Sequence, residues 1–139
     1  MFIIKKIKKK KKKKFISFIT VTKNSEKKLN RCIKSVKSQK KKNFEHIIID
    51  GKSTDKTIDI IKNNRKFIDF AISKKDKNMW EAINLGIRNS NGRVICIVNS
   101  DDVLYKNASK IIERYFKKNR IDYLLGSVKK KKINTGFHP

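Results

Sequence analysis

Proline occurs once and glycine five times in 139 residues, which excludes a collagen-like repeat or a chain of flexible glycine linkers. The two cysteines, Cys32 and Cys96, are too few for a disulfide scaffold, and no metal-type spacing links them. Cys32 falls on the apolar side of a helical pattern and Cys96 inside a strand-like run. Both read as small core residues of a protein kept in a reducing compartment. No stretch approaches the roughly 18 apolar residues that span a bilayer, and Met1–Ile4 is too short for the core of a secretory signal. The expected location is therefore cytoplasmic. Acids are scarce: 12, against 38 lysines and arginines, for a formal charge of +26.

That excess is unevenly spread. Nine lysines fill residues 5–14, interrupted only by Ile7, and shorter runs stand at Lys40–Lys42 and Lys129–Lys132. A block of like charge cannot pack, so residues 1–14 are expected to form a solvated, disordered arm. Two origins stay open. Lys, Asn and Ile recur along the whole chain, as AT-rich coding produces. Alternatively the arm serves an anionic partner, either nucleic acid or lipid at the inner face of the membrane. Nucleic acid is disfavoured, because no basic stripe with interleaved aromatics marks a reading surface. Residues 15–139, in a chain with 37% hydrophobic residues, suffice for one domain with a core.

Beyond the arm, short β-rich runs alternate with amphipathic helical stretches. Phe15–Val21 is a strand candidate. Asn24 or Ser25 can cap a helix to about Gln39, with Leu29, Cys32, Ile33 and Val36 on one face. His46–Asp50 is an apolar run ending in an acid, as buried parallel strands read. Thr54 caps a second helix to about Asn63, and Phe67–Ile72 is a third strand. Asn78–Asn89 is a helix carrying Met79, Ala82, Ile83 and Ile87, closed by the turn signal Asn91-Gly92. Val94–Val98 is a fourth strand, Asn107–Lys118 a further helix, and Tyr123–Leu125 a short fifth strand. The alternation predicts βαβ units, hence an α/β fold with a Rossmann-like, mostly parallel sheet flanked by helices.

In such sheets ligands bind beyond the carboxyl ends of the strands. Polar groups gather there: Thr22-Lys23-Asn24, Asp50 through Asp55, and Asn99 through Asp102. Two adjacent carboxylates, Asp101 and Asp102, repel each other unless a cation or hydrogen-bonding ligand uses them. Mg²⁺ or Mn²⁺ is commonly held by one or two carboxylates together with substrate phosphates. The plainer alternative is a cap on the following helix. Asp50 ends a buried strand, and Gly51 to Asp55 read as a tight turn entering a helix that favours anions. A capped turn accounts for Gly51 to Asp55 but accounts less well for an acid at position 50.

Four segments, FISFITVTKNSEKKLNRCIKSVKSQ, FEHIIIDGKSTDKTIDII, ISKKDKNMWEAINLGI and NGRVICIVNSDD, resemble in order and spacing the family 2 glycosyltransferases. The resemblance implies a GT-A fold that transfers a sugar, with inversion, from a nucleotide-diphosphate donor, often a UDP-sugar. The acceptor would be a glycan, a lipid or another group, and the setting cell-surface polysaccharide synthesis. By position, Val21, Thr22 and Asn24 would line the base pocket and Asp50 would bind the base. Asp101 and Asp102 stand at the family's metal and diphosphate motif, one touching Mg²⁺ or Mn²⁺ and the other the ribose or sugar. Asp76 and Lys77 fall in a segment near the donor. His46 reads as structural.

The chain departs from the pattern at several positions. Lys23 stands where an aromatic often precedes Asn24, Asn99 replaces the first acid of the D-x-D pattern, and Lys52 and Asn78 occupy common glycine positions. Trp80 fits a packing position or an acceptor-side contact. The family's general base lies in the second half of the domain, so it is expected beyond Pro139, with this chain truncated on its C-terminal side. His138, near that end, is a candidate for the acceptor or metal neighbourhood. Two competing readings are a nucleic-acid or anionic-surface binder driven by the lysine arm, and a non-functional fragment.

Overall fold

The computed structural model describes residues 2–5, 14–40, 42–119 and 121–126. Strands β1 (Phe2–Lys5), β2 (Ile16–Thr22), β3 (Phe44–Asp50), β4 (Phe70–Ser73) and β5 (Val94–Ile97) form one sheet in the order β1-β4-β3-β2-β5. Helices α1 (Leu29–Lys37), α2 (Thr57–Asn63), α3 (Met79–Arg88) and α4 (Ala108–Lys118) flank it. β2 to β5 are parallel, and β1 is antiparallel to β4. The chain steps outward from β2 to β3 and β4, then returns to lay β5 on the other side of β2. That reversal creates a topological switch point between β2 and β5, where α/β sheets open a crevice.

The alternation of side chains across β2 builds two cores. Ile16 and Phe18 pack with Cys32 and Val36 of α1 and Ile112 and Phe116 of α4. Ile19 and Val21 pack on the opposite face with Ile47, Ile49 and Ala82 of α3. Every residue of β2 is buried, as a parallel strand covered on both faces requires. The predicted α1 face holds: Leu29, Cys32, Ile33 and Val36 are all fully buried. Glycine sets the approach of α3, because a Cβ on Gly86 would stand 2.5 Å from Cγ2 of Ile19. Burial pushes the thiols of Cys32 and Cys96 up to about 11, so both are protonated.

The structure corrects several expectations. Phe2–Lys5 is an edge strand rather than part of a disordered arm: Phe2 and Ile4 join the Leu29–Ile33–Ile61 cluster and close the outer edge of β4. Alternating apolar residues won over the charge that follows them; residues 6–13 lie outside the described residues. α1 and α2 start at Leu29 and Thr57, later than the polar caps suggested, because the intervening backbone is bonded between loops instead of into helices. Arg65–Phe67 is a 3₁₀ turn, which delays β4 to Phe70. Tyr123–Leu125 has no strand pairing, and all three residues are exposed. Trp80 is not packed: it is 67% exposed, and Met79 and Ile87 on the same helix are also exposed. No helix among the described residues is long and apolar enough to cross a membrane.

Candidate functional site

Asp50 is the inner post of the carboxyl end. Its carboxylate is fully buried and accepts hydrogen bonds from the Ser53 N–H (2.9 Å), the Ser53 hydroxyl and the Ser73 hydroxyl (2.7 Å). These bonds fold residues 51–53 back over the strand end and hold Lys52 in the left-handed region, at φ 59°. Glycine is favoured there because a side chain crowds the following carbonyl. The turn therefore keeps its shape despite the lysine. Asn78 needs no such conformation: it is extended and caps α3, accepting the Glu81 N–H at 3.0 Å.

The loop after β2 is laced to the loop after β3. Asn24, also left-handed at φ 47°, donates its N–H to the Ser53 hydroxyl (2.8 Å), and its Oδ1 accepts the Thr54 N–H (2.9 Å). The Ser25 N–H donates to Thr57 Oγ1 at 2.8 Å. Glu26 and Asp55 exchange bonds with the backbone on either side: Glu26 N–H to Asp55 at 3.1 Å, Lys56 N–H to Glu26 at 3.0 Å. Asp55 feels burial, which raises its pKa, but hydrogen bonds from Thr57 and from the Glu26 N–H outweigh it, so its pKa lies below the usual value.

The same loop reaches β5. The Ser25 and Ser100 hydroxyls are 2.9 Å apart, Lys28 Nζ stands 3.5 Å from an oxygen of Asp101, and the Cys32 thiol donates to the Asn99 carbonyl at 3.4 Å. Asp102 closes a turn through its N–H to the Asn99 carbonyl (3.0 Å). Thr22, the last residue of β2, has a buried Oγ1 with no hydrogen-bond partner. A hydroxyl orphaned in this way costs free energy unless something supplies a partner. On the other face, Asp76 and Lys23 crowd Gly51, where a Cβ would come within 2.8 Å of Asp76 Oδ2 and 3.3 Å of Lys23 Cδ. Lys77 N–H donates to Glu81 at 2.7 Å, leaving the lysine side chain exposed.

Val21, Thr22, Asn24, Asp50, Asp76, Asp101 and Asp102 thus fall at one end of the sheet, on four strand ends. Ser25, Ser53, Ser73 and Ser100 belong with them but carry no sequence signal beyond proximity; apart from the local Ser53–Asp50 bonds, they join positions 23 to 75 residues apart. His46 sits in the core: Nε2 is 3.0 Å from Thr20 Oγ1, and burial lowers its pKa to about 3. His138 lies outside the described residues. No group of three or more His, Cys, Asp or Glu that could cage a metal occurs among the described residues. The paired Asp101 and Asp102 fit the other arrangement, in which Mg²⁺ or Mn²⁺ takes one or two carboxylates and completes its shell with phosphates and water. An open hollow of about 620 Å³ lies at the opposite, amino end of the sheet, lined by Phe15, Arg93, Phe116, Lys117 and Asp122. It contains none of these residues.

The profile of Glycosyl transferase family 2 matches residues 17–139. The chain is 37% identical over 115 residues to a dolichyl N-acetyl-alpha-D-glucosaminyl phosphate 3-beta-D-2,3-diacetamido-2,3-dideoxy-beta-D-glucuronosyltransferase of Methanococcus voltae, covering 78% of this chain and 33% of that one. It is 34% identical over 116 residues to the poly(ribitol-phosphate) beta-N-acetylglucosaminyltransferase TarP of Staphylococcus aureus, covering 80% and 36%. The crystal structure of S. aureus TarS 1-349 in complex with UDP matches at a TM-score of 0.65 and 25% identity, over 74% of this chain and 32% of that one. The chain spans about a third of the length of these relatives.

Proposed function

The chain belongs to glycosyl transferase family 2, and on that premise we propose that it binds the nucleotide-diphosphate part of a sugar donor at the carboxyl ends of β2, β3 and β5. The observation that carries the proposal is convergence at the switch point. The unpartnered Thr22 hydroxyl and the Asn24–Ser25 loop stand at the end of β2, the Asp101–Asp102 pair follows β5, and the two strand ends meet through the Ser25–Ser100 and Lys28–Asp101 contacts. The TarS complex with UDP supports UDP as the nucleotide to try first.

In this reading Val21, Thr22 and Asn24 wall the base pocket. Asp50, fully buried and already accepting from Ser53 and Ser73, acts on the base through the 51–55 loop that it holds. Asp76 and Lys77 border the donor from the α3 side. Asp102 would take Mg²⁺ or Mn²⁺, with Asp101 held beside it by Lys28 and available to the ribose or sugar. An ion held there would supply Lewis-acid neutralisation of the diphosphate charge. The wider activity we propose is inverting transfer of the sugar to a glycan or lipid acceptor in polysaccharide or surface-glycan synthesis. The names of the relatives support this, as they carry poly(ribitol-phosphate) and dolichyl phosphate acceptors. A base within hydrogen-bond reach of the acceptor hydroxyl completes such a reaction, and we assign none to this chain. Peripheral contact with an anionic membrane is also part of the proposal.

Isothermal titration of the full chain with UDP, with and without Mn²⁺, tests the site. Binding should strengthen in the presence of Mn²⁺, and Asp102→Ala should remove that strengthening while leaving the fold intact. Metal dependence that survives the substitution would move the ion elsewhere, and absence of any UDP binding by the folded chain would end the proposal.

A further inference from the structure

The charge of this protein is not distributed evenly between the two ends of its sheet. At the carboxyl end, Glu26, Asp55, Asp76, Glu81, Asp101 and Asp102 alternate with lysines. At the amino end most exposed charges are cationic: Lys37, Lys42, Arg65, Arg93 and Lys118 all lie there and all are exposed. Their positions follow from the topology. Lys37 ends α1, Lys42 precedes β3, Arg65 lies in the turn before β4, Arg93 precedes β5 and Lys118 ends α4. The acids of the same end are mostly withdrawn into the protein. Glu45 is buried and accepts from the Ser17 hydroxyl, Asp69 accepts the His46 N–H, and Glu113 is ion-paired with Lys117 at 2.6 Å. Asp122 is the exposed acid among the described residues of this end.

The cations are also mounted in a particular way. Lys37 Nζ lies 3.7 Å from the centroid of Phe67, Lys42 Nζ 5.7 Å from Phe44, and the Arg93 guanidinium 5.7 Å from Phe15. Aromatic rings near the strand starts support positive groups that remain open to solvent. From this arrangement we infer that the amino end of the sheet is a docking surface for an anionic lipid bilayer.

The geometry favours lipid over nucleic acid. Single-strand readers present free aromatic faces for base stacking, and duplex readers present an element that enters a groove. Here Phe15 is only 6% exposed, and Phe67, 38% exposed, carries Lys37 Nζ 3.7 Å above its ring. What remains is a surface of point charges suited to headgroups, each lysine or arginine near such a membrane contributing about fivefold to partitioning. Docking at this end turns the proposed donor site away from the bilayer. A seven-residue strand separates the two by about 20 Å, more than the roughly 8 Å over which salt screens charge. Membrane binding and donor binding are therefore separable. Residues 6–13 form no part of the proposed surface; Lys14, ahead of β2, lies at this end.

Co-sedimentation of the full chain with phosphatidylcholine vesicles containing about 30% phosphatidylserine tests the inference. The triple variant Lys42→Glu/Arg65→Glu/Arg93→Glu should lower partitioning by about a hundredfold or more and leave UDP binding unchanged. The carboxyl-end triple variant Lys52→Glu/Lys56→Glu/Lys74→Glu should lower partitioning far less. Equal losses from the two variants, or no loss from the first, would overturn the inference. Hydrogen exchange on the unmodified chain gives the same answer without relying on a variant that folds. Vesicles should protect residues 14–16, 42–45 and 92–95, and protection of 51–56 and 99–102 instead would refute it. Tighter binding to duplex DNA than to the vesicles would overturn it in favour of nucleic acid.

Discussion

Acidification should destabilise this protein through His46. The imidazole is fully buried in the central strand β3, Nε2 meets the Thr20 hydroxyl at 3.0 Å, and Nδ1 has no partner. Burial holds its pKa at about 3, against 6.5 for an exposed histidine. Between those values the unfolded chain binds a proton that the folded chain refuses. The stability from keeping His46 neutral is therefore complete above about pH 6.5 and is lost as pH falls, by about 1.4 kcal/mol per pH unit. At about pH 5 the loss is about 2 kcal/mol, a large share of the 5–15 kcal/mol typical of a domain. The contribution of Asp55, whose pKa is depressed, is lost only at lower pH, below its ordinary 3.8. Urea denaturation at several pH values, in the unmodified chain and in His46→Gln, isolates the histidine. Far-UV circular dichroism is the suitable probe, since the single tryptophan, Trp80, is 67% exposed and reports little on folding. The unmodified chain should lose stability between about pH 7 and 5 while the variant stays nearly flat. Parallel curves would refute the assignment.

Three further outcomes follow from single positions. Lys52→Gly should stabilise the fold by about 0.5–1 kcal/mol, because relief of the left-handed strain at φ 59° exceeds the added chain entropy; a lower urea midpoint would contradict this. Gly92→Ala should cost about 2–3 kcal/mol, since its Cβ would lie 2.6 Å from the Ser17 backbone nitrogen and disturb the Gly92 N–H to Ser17 hydroxyl bond; an unchanged midpoint would show that the turn can move freely. Asp50→Ala should weaken UDP binding by about tenfold or more while the chain stays folded, because Ser53 and Ser73 lose their acceptor and the 51–55 loop its anchor. Unaltered affinity would remove Asp50 from the site.

The sheet was legible because its signals are local. The unbroken apolar run of His46–Asp50, the helical spacing of Leu29, Cys32, Ile33 and Val36, and acids at strand ends each need only a few neighbouring residues to be read. The lacing of the site was not legible. Ser25 meets Ser100 across 75 positions, and Asn24 meets Thr54 across 30, so no local pattern marks either pair. The same long-range bonds explain the late starts of α1 and α2, since the polar residues at 24–26 and 53–54 bond across loops, while Asp55 both bonds across to Glu26 and accepts the Thr57 N–H. β1 was hidden by the lysines beside it, although Phe2 and Ile4 already alternate. Met79, Trp80 and Ile87 show a different limit: spacing tells which residues share a helix face but not whether anything covers that face.

The central claim is that the nucleotide of a sugar donor binds at the carboxyl ends of β2, β3 and β5. Amide hydrogen exchange with and without UDP and Mn²⁺ tests it most directly. Protection is predicted at residues 22–25, 51–57 and 99–102, with the amino end unchanged. Protection confined to the hollow at Phe15, Arg93 and Lys117 would contradict the account.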